Sequence, residues 1–232
     1  MAKQKNKIGT RNESSLHRTL KLRYAGPGGK TEVTAGEFVA DGLSKNGEYI
    51  EVQTGNFAPL KAKVKNFTAK GKMKIIYPAA VTKYIEVFEP KKGKLSLLYR
   101  RKSPLKGSPW DLFNALIYAW ELALFPGISI EIILADIAEK RVCDNKGSWR
   151  RKGVSIFDRE LETLHGSIIL KKKRDYARFV PFKKGEEFTS LQLAKQAGIK
   201  APLARKTLYV LTKLGIVERT GKNGNFLVYK KL

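Results

Sequence analysis

The chain has 232 residues, and 46 Lys and Arg against 21 Asp and Glu leave a formal charge of +25 with histidine neutral. Apolar residues make up 42% of it, enough for the core of one larger domain with a small appendage and too many for a disordered basic tail. The lone Cys143 excludes a disulfide framework or multi-cysteine zinc site, and with only His17 and His165 a His-rich metal site is excluded too. So large a positive charge points to a polyanionic partner, nucleic acid first and an anionic membrane surface second.

Residues 1–7 are basic with no apolar run behind them, so they do not read as a secretory signal, and the single cysteine suits a reducing, intracellular compartment. Residues 10–24 read as a helix with Leu16, Leu20 and Tyr24 on one face, and Thr10 and Glu13 have the spacing of a capping box. After the break at 25–29, strands are predicted over 37–44 and 48–55 around the turn signal Lys45-Asn46-Gly47. A helix over 58–69, a strand over 73–78 and a hairpin of 83–89 with 95–101 follow. Residues 110–124 are apolar on almost every side and predict a deeply buried helix. The membrane-like stretch 112–138 is interrupted by Glu121, Pro126, Gly127, Glu131 and Asp136, so it reads as a buried helix followed by a strand, with no membrane partner. This order of elements predicts an α+β (mixed α/β) fold, a mixed sheet flanked by helices.

A basic stretch over 147–178 precedes a predicted domain boundary near 181–186, which separates a domain of 1–180 from one of 181–232. In the second, Ser190 suits the cap of a short helix ending at Gly198, and Pro202 suits the first turn of a helix over 202–214 that buries Leu208, Leu211 and Leu214. Strands over 216–220 and 225–230 close the chain around a turn at 221–224.

The most informative side chains are Asp41, Glu51 and Gln53. Glu51 and Gln53, two apart on a strand, face the same side. The hairpin register decides whether Asp41 joins them. A two-residue Asn46-Gly47 turn sets Asp41 opposite Val52, whereas a three-residue loop with Gly47 left-handed pairs Ser44 with Glu48 and sets Asp41 opposite Glu51. We expect the second register, in which Asp41 and Glu51 can hold Mg²⁺ (or Mn²⁺) through carboxylate oxygens for phosphodiester chemistry.

With Glu13 on the first helix, Asp41 on one strand and Glu51-Val-Gln53 on the next, the first half of the chain resembles the PD-(D/E)XK (restriction-endonuclease-like) nuclease superfamily. The resemblance implies a Mg²⁺- or Mn²⁺-dependent DNA endonuclease in which Asp41 and Glu51 bind the metal and Gln53 stands where the family usually has lysine. Gln orients by hydrogen bonds without supplying charge, and a lysine of the following helix, Lys61 or Lys65, is expected to supply it. The same glutamine is also what an inactive, DNA-binding relative would carry. Glu13 has two roles open to it, metal-site acid or helix cap.

Residues 188–232 resemble a winged helix-turn-helix, with 202–214 as recognition helix and the last hairpin as wing. That implies Arg205, Lys206, Tyr209 and Lys213 toward a major groove of double-stranded DNA, and Arg219, Lys222 and Lys230 toward phosphates. Winged helices also dock proteins or a second copy of the chain. A nuclease followed by a winged helix is similar to the transposon-end nuclease subunit of Tn7-like elements, which implies a mobile-element or defence setting. Among the remaining basic clusters, Arg150, Arg151 and Lys152 suit a phosphate-tracking surface, while Trp149 reads equally as a base-stacking ring or an anchor in the core.

Overall fold

The computed structural model describes residues 13–91 and 93–232. Its first helix, α1 (Ser15–Ala25), starts later than the periodicity suggests, because Ser14 is extended and its hydroxyl accepts the His17 N–H at 3.3 Å. Glu13 therefore precedes the helix and is no capping-box acid, and Thr10 lies outside the described residues. Leu16 and Leu20 are buried as their spacing requires.

Three antiparallel strands follow: β1 (Lys30–Ala35), β2 (Phe38–Leu43) and β3 (Tyr49–Val52). The sequence reading has no counterpart of β1, whose exposed edge position leaves its alternation weak. Gly42 pairs with Ile50 and Leu43 with Tyr49, the Ser44 N–H donates to the Glu48 carbonyl at 2.9 Å, and Gly47 has φ +75°. This is the three-residue loop and register expected above.

Helix α2 (Leu60–Thr68) buries Leu60, Val64 and Phe67 and carries the chain across to β4 (Met73–Lys91), which lies parallel to β3. β4 is one strand where two were expected. Pro78 falls where β3 has ended opposite Ile76 and β5 (Lys94–Lys102) begins only at Tyr84, so one edge of β4 has no ladder there. The loop after β5 fills that gap: Ser103 N–H donates to the Lys83 carbonyl and Gly107 N–H to the Ala80 carbonyl, both at 2.7 Å. A Cβ on Gly107 would lie 2.7 Å from that Ala80 oxygen, so glycine is needed for the approach.

The expected helix over 110–124 is instead a 3₁₀ turn at Pro109–Asp111, a short α3 (Leu112–Leu116) and a second 3₁₀ turn at Trp120–Leu124. Ala119, at φ −146° and ψ 36°, breaks the helical path. The all-round apolar character reflects neighbours on several sides: Leu112, Phe113, Leu116 and Leu122 are all buried. β6 (Ile128–Cys143) then runs parallel to β4, and β7 (Val154–Leu170) returns antiparallel to it. The seven strands are ordered β1-β2-β3-β4-β6-β7, with β5 added to the far half of β4.

After the short α4 (Lys173–Tyr176) come β8 (Glu187–Thr189), α5 (Ser190–Ala197), α6 (Ala201–Lys213), β9 (Val217–Asn223) and β10 (Phe226–Lys231), with a sheet ordered β8-β10-β9. Thr189, one residue before the expected Ser190, caps α5 in a capping box with Gln192, and Gly198 ends it at φ +62°. α6 buries Leu208, Leu211 and Leu214, and also Thr207 and Val210. It has more than one covered side because it also packs against α3.

One apolar cluster runs from Phe57 and Phe67 through Phe113 and Phe179 to Phe188 and Leu208. The Phe179 ring meets Trp110 and Phe113 edge-on, with centroids 5.4 and 4.9 Å away. A second cluster, Leu16, Leu20, Ile50, Val52, Ile76 and Ile133, lies under α1. The fold class is α+β, and among the described residues no helix is long and apolar enough to cross a membrane.

Candidate functional site

β2 and β3 keep their ladder only as far as Gly42 and Ile50, and the next pair in that register is Asp41 and Glu51. Here the strands are braced through side chains. The Val52 N–H donates to Asp41 Oδ2 at 2.7 Å. Two carboxylates thus meet where the strands part.

Each has a cationic neighbour. His17 Nε2, on α1, lies 3.0 Å from Asp41 Oδ2 and 3.7 Å from Glu13 Oε1. Lys63 Nζ, on α2, lies 2.7 Å from Glu51 Oε1 and 2.5 Å from Oε2. Glu51 Oε2 is buried without a hydrogen bond, so toward that oxygen Lys63 is close in charge but poorly aligned. Glu13 also reaches the buried Lys21 at 2.8 Å, and Lys21 lies 3.4 Å from Glu32.

The electrostatics separate the two acids. Burial pushes Glu51 up to about 7, helped by the Asp41 charge and opposed by Lys63. Burial works the same way on Asp41, but the His17 hydrogen bond and charge outweigh it and hold Asp41 below its ordinary value. For His17, burial opposes protonation, and the Asp41 bond with the charges of Asp41, Glu13 and Glu51 raises its pKa above 6.5. One carboxylate is firmly ionised beside another poised near neutrality.

The structure brings together Glu13, Asp41 and Glu51 of the expected residues and adds His17 and Lys63. Gln53 follows Glu51, but its amide Nε2 donates to the Asn56 carbonyl at 2.6 Å, shaping the turn. Lys61 pairs with Glu121 at 2.6 Å and Lys65 is exposed, so neither is the lysine beside the carboxylates. The phase of α2 explains this. At about 100° per residue, Lys63 lies roughly 65° from the centre of the Leu60-Val64-Phe67 stripe, and Lys65 roughly 130° away. His17 was legible only as the middle of a polar stripe, Glu13-His17-Lys21, at i, i+4 spacing.

Among the described residues no three His, Cys, Asp or Glu side chains are gathered as a metal-binding group; the oxygen donors are a pair. That pair of carboxylates offers the oxygen donors a hard cation takes, and Lys63 Nζ lies against both Glu51 oxygens.

The other candidates lie apart from the carboxylates. On α6, Lys206 Nζ donates to Asn114 Oδ1 at 2.8 Å, and Lys213 Nζ lies 5.9 Å from the centroids of both Trp120 and Tyr209. Arg205, Tyr209 and Lys213 remain exposed as a narrow stripe. Arg219 and Lys222 are exposed on the last hairpin, whereas Lys230 pairs with Glu218 at 2.6 Å. Arg150, Arg151 and Lys152 sit at the tip of the β6–β7 hairpin.

Fold and site define an α+β protein with paired carboxylates where two strands of a mixed sheet part. The chain belongs to the family described as Domain of unknown function (DUF8091), whose model matches residues 14–171 and so spans α1 to the end of β7. It is also similar to an uncharacterized protein of Treponema pallidum (strain Nichols), at 27% identity over 225 residues, covering 97% of this chain and 87% of that protein. No solved structure matches.

Proposed function

We propose that the chain is a metal-dependent DNA endonuclease. The observation that carries this is the meeting of Asp41 and Glu51 where β2 and β3 part, with Lys63 against Glu51. The order of these residues is also that of the PD-(D/E)XK resemblance.

In this reading Asp41 and Glu51 hold Mg²⁺ or Mn²⁺. When bound, such an ion supplies positive charge against a phosphate and a water of lowered pKa. Lys63 takes the part of the lysine that is missing at Gln53, a positive charge beside the phosphate. His17 positions Asp41 through Nε2, and Glu13 holds Lys21 and steadies His17. Gln53 shapes the loop after β3.

The C-terminal unit, strand, two helices and hairpin, is read as a winged helix that orients duplex DNA. Arg205, Tyr209 and Lys213 offer the outer stripe of α6, and Arg219 and Lys222 reach phosphates from the hairpin. Lys206 serves to seat α6 on Asn114. A reducing, intracellular setting goes with this reading.

The test is nicking of supercoiled plasmid with Mg²⁺ or Mn²⁺. Wild type nicks; Asp41→Ala and Glu51→Ala do not. The engagement of Gln53 by Asn56 favours a second reading, a non-catalytic DNA-binding relative. That reading prevails if wild type binds duplex DNA tightly yet stays inert with both ions. Tighter binding of structured RNA than of duplex DNA at matched salt would move the partner to RNA.

A further inference from the structure

The far halves of β4 and β6 run on past the core and end in two neighbouring hairpin tips, Lys91–Lys94 and the segment between Cys143 and Val154. Along the shaft of this arm several cations are matched by acids, though among the described residues Arg101 and Lys102 make no ion pair. Arg100 meets Glu86 and Glu162, Arg141 and Arg159 meet Glu139, and Lys140 meets Glu160. At the β6–β7 tip this changes: Lys146, Arg150, Arg151 and Lys152 make no ion pair among the described residues. Between them Trp149 is 83% exposed, with the Arg150 guanidinium 5.6 Å from its ring centroid.

The tip is nevertheless a built structure. Gly147 N–H donates to the Gly153 carbonyl at 2.8 Å, Arg151 N–H to the Ser148 carbonyl at 2.9 Å, and Arg151 Nε to the Val154 carbonyl at 3.2 Å. A Cβ on Gly147 would fall 1.9 Å from the Val154 oxygen. Asn145 and Lys152, neither of them glycine, hold φ at +59° and +51°. Backbone strain of this kind persists where the surroundings enforce it, and here it holds an indole and the cations of Lys146, Arg150 and Lys152 out into solvent, with the half-buried Arg151 tied to the turn beneath them.

We infer that this tip is a second DNA-binding site, gripping duplex about one helical turn from the carboxylates, with Trp149 against the sugar or base edges and the cations on phosphates. This rests on the nuclease reading. Glu51 is level with Ile75 on β4, and Ile75 with Ile130 on β6. From Ile130 to Cys143, at about 3.3 Å per residue, the arm extends roughly 40 Å, the length of about 12 base pairs. An exposed indole with basic neighbours also suits an anionic bilayer. Duplex DNA is favoured because the arm continues the sheet that carries the carboxylates.

The experiment is anisotropy titration of labelled duplexes of about 8 and about 30 base pairs, the first too short to span the arm, with the full chain in EDTA, so that hydrolysis plays no part. Wild type, Trp149→Ala and the double variant Arg150→Ala/Arg151→Ala are compared, with melting curves as the control for folding. We expect both variants to match wild type on the short duplex within about twofold and to lose about tenfold or more on the long one. The salt slope of the double variant on the long duplex should fall by about two. Equal affinities across lengths, or an equal loss on both duplexes, would overturn the proposal. So would binding to phosphatidylserine vesicles that Trp149→Ala abolishes while DNA binding is unchanged. If wild type binds neither duplex, the nuclease reading falls with it. If the variants behave as expected while plasmid stays uncut, the arm stands and only catalysis is lost.

Discussion

Lys63 Nζ lies within 2.7 Å of Glu51 Oε1, and this contact joins α2 to β3 at the point where β3 leaves β2. It makes Lys63 the positioning and charge-supplying group of the proposed nuclease. Lys63→Ala should lower plasmid nicking by about 10²- to 10³-fold, with partial recovery in Lys63→Arg. Lys61→Ala and Lys65→Ala should stay near wild type. A loss confined to Lys61 or Lys65 would place the charge elsewhere.

Glu51 carries a pH signature. Its pKa in the folded chain is pushed up to about 7 by burial and by Asp41, above its ordinary value of 4.5. Between these values the folded protein holds more protons than the unfolded one, so this group's stabilising contribution is present below about 4.5 and lost as pH rises through about 7. Metal binding needs the ionised form, so metal affinity should climb with pH up to about 7 and then level off. Glu51→Gln should flatten the stability decline across that window in urea melts without metal.

Metal binding should also be visible without turnover. At about 100 times its dissociation constant, Mn²⁺ should raise the melting temperature of wild type by about 5–10 °C. Asp41→Ala should show no such rise. An equal rise in both proteins would put the ion at another site.

Phe179 joins the two parts of the chain. Its ring sits between Trp110 and Phe113 in the cluster that continues to Phe188 and Leu208. Phe179→Ala should cost about 3–5 kcal/mol. Because the cluster is continuous, indole fluorescence and far-ultraviolet circular dichroism should report one coincident thermal transition. Two separated transitions would show that the C-terminal unit melts by itself.

The hairpin register was readable because Gly47 and the alternation on either side leave one arrangement that places Asp41 opposite Glu51. The C-terminal helices were readable from Gly198 and Pro202, which end one and begin the next. What escaped has physical causes. Residues 109–124 are covered on several sides, which removes the periodicity that would have marked the break at Ala119. β1 is an exposed edge strand with almost no buried face to mark it. Lys63 depends on the phase of α2, which only its buried side settles, and His17 gains its importance from a strand far along the chain.

The seating of α6 on α3, with Lys206 on Asn114 and Lys213 over Trp120, bears on how such a protein can change over generations. A C-terminal unit attached by a free linker can be traded between proteins as a cassette. This one carries part of its neighbour's packing surface, so a replacement must bring a matching α6, or the recipient must alter Asn114 and Trp120 in step. Substitutions should therefore accumulate more readily on the exposed stripe of Arg205, Tyr209 and Lys213 and on the closing hairpin, where side chains change without unseating the helix, and in the proposed DNA-binding reading that is where new preferences would arise.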